Sequence, residues 1–490
     1  MLTINQKIIT FVAKYIFLND MTLLIVILLL FGYLLIGTSH LTNVNKAAIA
    51  MFIGAVSWVL YICFGTDFVM AQHPHEFLEF MAGTDASANS VKEFIYDNIF
   101  LKYVGKAAAI VMFLLATMTI IEILNNNGCF DFVTGWVRTR SSKRFLWIIT
   151  IVTFVVSANL DNLTTTAMML VIMHNLIGNR KQRMLIGCAI VLAANTGGCF
   201  TVIGEPTGVA MWGDGLVTAT NFSMYLALPA MAAWALPTYL ISRELPERLD
   251  VAWTVPTFRG DDTTLSRLQR FAMFIIGIGG LWFIPTFHSL TKLSPFLGAL
   301  CVLAVLWVAH EIFNRKQMDA DLMATQKKMP LSIQYGSIQQ ILFVMGIMLG
   351  LGVVSETGAF SDVSKWFDYN IHNVWVLGAI NGLLSSMVDS FTVAMTNLSM
   401  YSVVEDFQLG QWVDSDYMAN FVQNGAYWKI LAYTTAVGSC LMCFANPSGI
   451  ALMKMEHIKV GWYIKNCTLK VLLGWVAGFA ILWAEVCLLS

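Results

Sequence analysis

Three acidic residues stand where an apolar chain can least accommodate them. Asp161 lies within Ser157-Ala-Asn-Leu-Asp-Asn-Leu-Thr-Thr-Thr166, Asp389 within Ser385-Ser-Met-Val-Asp-Ser-Phe-Thr392, and Glu205 within Gly197-Gly-Cys-Phe-Thr-Val-Ile-Gly-Glu-Pro-Thr-Gly208. Each knot interrupts an otherwise apolar run. A lone carboxylate at bilayer depth costs about 2.5 to 3.5 kcal/mol on insertion scales, so such residues usually serve an ion or proton path.

Oxygen and amide groups surround the acids. Ser157, Asn159, Asn162, Thr164, Thr165 and Thr166 flank Asp161, and Asn195, Thr196, Thr201 and Thr207 flank Glu205. Ser385, Ser386, Ser390, Thr392 and Thr396 accompany Asp389, while Asn446 and Ser448 stand in a fourth knot, Gly438-Ser-Cys-Leu-Met-Cys-Phe-Ala-Asn-Pro-Ser-Gly449. Hard cations such as Na⁺ take oxygen ligands of these kinds. Removal from water and like-charged neighbours both favour the neutral acid, so Na⁺ and protons would compete at Asp161, Glu205 and Asp389. The plainer role for any single Ser or Thr is to cap a broken helix.

Other motifs point nowhere specific. Gly197, Gly198, Gly204 and Gly208 lack the lysine and strand–helix context of a phosphate loop. Cys440 and Cys443 form a C-x-x-C in apolar surroundings that suits packing better than redox chemistry. His73, His75 and Glu76 read as a surface cluster, Glu122 as an interfacial acid, and His310-Glu311 lacks the second histidine of a zinc protease. No cofactor is expected.

The elements that hold these residues must sit in lipid. The chain has 490 residues, 57% hydrophobic and 12% charged, against about 25% charged in soluble domains; its mean hydropathy is +0.69. A net charge of −1 suggests no nucleic-acid partner. The nine cysteines follow no disulfide or zinc spacing. No small-residue cleavage site follows the first apolar run, so no cleaved signal peptide is expected.

Ten crossings are expected, near 21–39, 44–64, 103–123, 183–210, 221–242, 268–287, 294–311, 338–355, 428–452 and 467–489. Two further apolar segments, 145–177 and 374–401, carry the Asp161 and Asp389 knots at their middles. As one helix the first would reach about 50 Å, too long for a crossing, so both are expected to be re-entrant hairpins. Lys and Arg support this: if both segments return to their side of entry, one face collects most of the 29, including the clusters ending at Arg144 and starting at Arg180. Lys429 then falls on the other face.

The knots align in pairs. Ser157, Asp161, Asn162 and Thr164 match Ser385, Asp389, Ser390 and Thr392 at an offset of 228, and the 197–208 knot matches 438–449 at an offset of 241. The expected fold is therefore an all-α membrane protein, an inverted repeat of five transmembrane helices plus one re-entrant hairpin each, with broken helices. Its parts are an N-terminal segment 1–20 lying in the interface, a first repeat 21–242 (hairpin 145–177, broken helix 183–210), a linker 243–267, and a second repeat 268–489 (hairpin 374–401, broken helix 428–452).

The 157–166 stretch, the 197–208 break followed by Trp212, the Asp389 knot, and the 449–456 run ending in Met-Glu together resemble the NhaD-type Na⁺/H⁺ antiporters of the ion transporter superfamily. The likeness covers most of the chain from about Glu122 onward. It implies exchange of Na⁺, and of Li⁺, for H⁺ in the bacterial inner membrane, as a homodimer, with the hairpin-tip and broken-helix residues forming the site. Glu205-Pro206 stands where the family commonly has Asp-Val, and Ser390 where it commonly has Asn. The runner-up is a sodium-coupled symporter of a small organic anion such as a dicarboxylate, against which stands the lack of an arginine in any broken segment. A membrane enzyme or receptor on the same scaffold would make Asp161 and Asp389 dispensable for ion movement.

Overall fold

The computed structural model describes residues 2–42, 44–81, 87–130, 132, 135, 137, 139–250, 265–318, 331–405 and 414–489, without the side chains of 2–19, 315–318, 331–337 and 489. Among them the named elements are all helical, and Ser141 forms an isolated bridge with Arg248. The longer helices are α1 Leu2–Gly37, α2 Lys46–Cys63, α3 Leu101–Asn126, α4 Ser142–Ser157, α5 Asn162–Leu176, α6 Arg180–Cys199, α7 Pro206–Gly213, α8 Ala219–Glu244, α9 Gly280–Thr291, α10 Pro295–Met318, α11 Leu331–Glu356, α12 Val374–Ser385, α13 Ser390–Met400, α14 Ala426–Gly438, α15 Pro447–Glu456 and α16 Leu469–Leu489. Helix α1 runs without interruption at residue 20.

Eight described helices are long and apolar enough to cross a membrane, which makes this a multi-pass membrane protein: Asp20–Gly37, Lys46–Cys63, Ala88–Asn126, Ala219–Glu244, Arg267–Thr291, Pro295–Asn314, Ile338–Glu356 and Val460–Leu488. The other two apolar stretches, 183–210 and 428–452, are interrupted. Helix α6 stops at Cys199 and the chain resumes helically at Pro206; α14 stops at Gly438 and resumes at Pro447. Proline suits the first helical position because its missing N–H would have no partner there.

The chain divides into two compact units. Unit 1 comprises 1–111, 339–372 and 395–402; unit 2 comprises 112–338, 373–394 and 403–490. Within unit 1, α2 and α11 meet through small residues: a Cβ on Gly346 would lie 2.5 Å from the backbone of Ala50. His73, read from sequence as part of a surface cluster, instead reaches inward. Its Nδ1 is 2.9 Å from Glu76 Oε2 and its Nε2 is 2.7 Å from Glu356 Oε2, while Tyr103 Oη donates to Glu356 Oε1 at 2.7 Å.

Within unit 2 the two ends of the 142–176 segment return to one place. Ser142 N donates to Glu247 O, Leu249 N donates to Arg140 O, and Gly178 N donates to Asp250 O. The four residues 247–250 therefore tie the start of α4 to the residue just beyond α5. A single straight helix over that segment would part its ends by about 50 Å. The segment 374–400 closes similarly, since Tyr401 Oη, just beyond α13, donates to Asp368 Oδ1 at 3.1 Å, six residues before α12 begins.

Candidate functional site

Both hairpin turns are built on an aspartate cap. At the tip between α4 and α5, Asp161 Oδ2 accepts from Leu163 N and Thr164 N, each at 3.1 Å, and from Thr164 Oγ1 at 3.4 Å. At the tip between α12 and α13, Asp389 Oδ1 accepts from Phe391 N at 2.9 Å and Thr392 N at 3.4 Å. The first N–H groups of a helix lack partners along the chain, and an aspartate oxygen supplies one.

The offsets of 228 and 241 recur as contacts. Ser157 Oγ donates to Ala194 O at 2.6 Å, and Ser385 Oγ to Thr435 O at 2.8 Å. A Cβ on Gly197 would lie 2.3 Å from Phe154 O, and one on Gly438 2.3 Å from Gly382 O. In both halves a glycine on the broken helix lets the hairpin's first leg approach to backbone contact.

The fifteen residues of the sequence-derived site are all buried: Ser157, Asp161, Asn162, Thr164, Thr165, Asn195, Thr196, Glu205, Thr207, Ser385, Asp389, Ser390, Thr392, Asn446 and Ser448. Asn162 binds the first half together, its Nδ2 donating to Glu205 Oε1 at 2.8 Å and Asn195 Oδ1 at 3.0 Å. Asp161 and Asp389 both lie close enough for their charges to act on Glu205. The three carboxylates share one interior.

Several predicted ligands also hold structural hydrogen bonds. Thr196 Oγ1 donates to Leu192 O at 2.7 Å, and Asn446 spans its own break, donating to Ser439 O at 3.0 Å and accepting from Gly449 N at 2.6 Å. Ser157 and Ser385 hold broken-helix carbonyls as described. The hydroxyls of Thr165 and Ser448 are buried and find no partner among the described residues, so a ligand there would satisfy them. Thr201 has a structural part: it donates to Ala158 O and accepts from Gly204 N at 3.1 Å, stitching the α6–α7 break to the hairpin tip.

Two charged residues escaped the sequence reading. Lys429, counted from sequence with the charges of the less basic face, is buried in α14 with its ammonium 3.6 Å from the ring centroid of Tyr225. Its signal was its place in an aromatic run, Tyr427-Trp428-Lys429. Glu456 is 1% exposed and ion-paired; its partners lie more than 270 residues away in sequence, beyond any local pattern.

The chain combines helices long enough to span a bilayer with three buried carboxylates, Glu205 at a helix break and Asp161 and Asp389 at helix-to-helix turns. The profile of the CitMHS family, described as citrate transporter, matches residues 33–420, and the chain belongs to that family. Sodium/proton antiporter 1 of Arabidopsis thaliana is 28% identical over 381 residues, covering 77% of this chain and 62% of its own length. The chain thus spans less than two thirds of that relative. Sodium/proton antiporter 2 of the same plant is 28% identical over 375 residues, 76% of this chain and 84% of its own length. The Na(+)/H(+) antiporter NhaD of Vibrio cholerae is 26% identical over 401 residues, 76% of this chain and 77% of its own. The resemblance to NhaD-type antiporters is borne out by these relatives. Among solved structures, Neisseria gonorrhoeae MtrF, described with a class of antimetabolite efflux pumps, aligns at a TM-score of 0.46 and 12% identity over 80% of this chain and 83% of its own, too distant to bear on function.

Proposed function

We propose that the chain exchanges Na⁺, and Li⁺ with it, for H⁺ by alternating access, with Asp161, Glu205 and Asp389 as the groups over which cation and protons compete. The observation that carries this reading is the shared interior of three buried acids. Glu205 takes its hydrogen bond from a neutral amide, and the charges acting on it are two more acids. Such a cluster favours a state in which either protons or a cation offset the negative charge. The buried hydroxyls of Thr165 and Ser448 add oxygen ligands.

The same reading takes the two halves as inverted repeats, each with a hairpin that dips into the membrane and returns. The recurring serine and glycine contacts support a repeat, and the stitched hairpin ends support re-entry. Names of relatives support Na⁺ and H⁺ as cargo. Residence in a bacterial inner membrane and a homodimeric state follow from the resemblance alone.

The family's name points to citrate, and Lys429 is a buried cation within a broken segment. The three acids argue against a trianion in their midst, since like charges in a low-dielectric interior repel strongly.

The test is collapse of a pH gradient in everted vesicles on adding Na⁺, Li⁺ or K⁺, with citrate as the contrasting addition. Asp161→Asn and Asp389→Asn keep a capping oxygen, so they should fold yet lose about tenfold or more of the Na⁺ response. Undiminished responses in both variants would remove the assignment.

A further inference from the structure

Away from the three acids, a second charged cluster joins the far ends of helices whose near ends build the site. Helix α5 begins at the Asp161 tip, α6 carries Asn195 and ends at the break leading to Glu205, and α15 begins at Asn446. Their opposite ends meet at Glu456. Its Oε1 and Oε2 each accept from Arg183 Nε at 2.9 Å, and Oε1 also lies 2.8 Å from His174 Nδ1. Arg183 Nη1 donates to Ile177 O and Gly178 O, just beyond α5. Arg180 donates to the carbonyls of Glu456 and His457, at the end of α15.

Each charge is disfavoured by its own helix. Arg180 and Arg183 stand in the first turn of α6, where the helix dipole is positive, and Glu456 stands in the last turn of α15, where it is negative. They gain only from their neighbours: the guanidiniums meet the carbonyl ends of α5 and α15, and the carboxylate meets Arg183. The arrangement therefore stabilises the docked state of the three helix ends and penalises any other.

The corresponding junction in the other half carries side-chain amides. There Asn424 N donates to Leu216 O, Asn424 Oδ1 accepts from Thr218 N at 2.7 Å, and Gln423 Nε2 donates to Gly215 O, joining the approach to α14 to the end of α7.

We infer that the Glu456–Arg183–Arg180–His174 cluster is a clamp that holds α5, α6 and α15 in register and thereby positions Asp161, Glu205 and Asn446 for the cation. Glu456 and Arg183 are positioning residues that act through those helices. The inference rests on the cation-site reading for its purpose, though the clamp itself can be tested apart from it.

The experiment compares wild type, Glu456→Gln, Arg183→Gln and the double variant, purified and reconstituted, in cation-driven proton movement and in thermal melting without cation. Glutamine nearly matches Glu456 in shape, so misfolding is not built into that variant. Glu456→Gln leaves the part-buried Arg183 without its carboxylate, Arg183→Gln leaves the buried Glu456 with His174 as its remaining side-chain partner, and the double removes both charges. The expected result is a rise of about tenfold in the Na⁺ concentration for half-maximal rate in each single variant, with maximal rate within about twofold. In the double variant that concentration returns to within about threefold of wild type.

A melting loss in the single variants with unchanged half-saturation would mark the cluster as structural only and overturn the inference; so would a double variant worse than either single. If wild type moves no protons in response to any cation, the antiport reading fails by itself. The clamp then stands or falls on melting: restoration in the double variant upholds it, and additive losses end it.

Discussion

The side-chain amide of Asn162 lies 2.8 Å from Glu205 Oε1, joining the first residue of α5 to the acid in the break after α6. The same nitrogen reaches Asn195 Oδ1, so one amide spans three parts of the first half. Because the groups are buried, the bond is worth more as a constraint on position than as net stability.

Asn162→Ala should therefore leave Glu205 without its donor and free to shift. A buried acceptor stripped of its partner costs about 1 to 3 kcal/mol, which corresponds to a loss of apparent Na⁺ affinity of about tenfold. Half-saturation measured in everted vesicles checks this; a variant indistinguishable from wild type would dismiss Asn162 as a link between hairpin and break.

Gly438→Ala should be among the least tolerated single-methyl additions in the chain. Its Cβ would sit 2.3 Å from Gly382 O, a backbone atom that cannot swing aside, and overpacking of this kind typically costs about 1 to 3 kcal/mol. Gly213→Ala meets nothing within 4 Å and should stay within about 0.5 kcal/mol of wild type. Melting of the two purified variants side by side gives the answer.

Lys143→Cys and Lys181→Cys should react with a membrane-impermeant maleimide from the same side, and Gln423→Cys from the opposite side. All three positions are exposed, and the first two flank the hairpin whose ends share the 247–250 stitch. The exposed native cysteines Cys63, Cys301 and Cys487 would be replaced by serine beforehand. Labelling of positions 143 and 181 from opposite sides would contradict a re-entrant α4–α5.

The acids were legible because burial in an apolar chain makes a carboxylate conspicuous, and the turn chemistry around Asp161 and Asp389 is local. The pairing of knots was legible for the same reason: Ser157 and Ser385 repeat with their surroundings. What sequence could not separate is a hydroxyl that caps from one that is free. Thr196 and Thr165 look alike in the chain, yet one bonds a helix carbonyl and the other has no partner among the described residues. Lys429 and His73 were misplaced for a related reason, since charge counting assigns residues near helix ends to water and has no view of an aromatic ring or a distant carboxylate that receives them. The Glu456 clamp depends wholly on long-range closure.

The 247–250 stitch lies before the linker's end, on the amino-terminal side of residue 255. The three backbone bonds of that stitch therefore belong to one continuous stretch of polypeptide. Were the gene divided after that point and the two products made together, the amino-terminal product would keep that stitch, while the contacts of His174 and Arg183 with Glu456 would have to form between the two products.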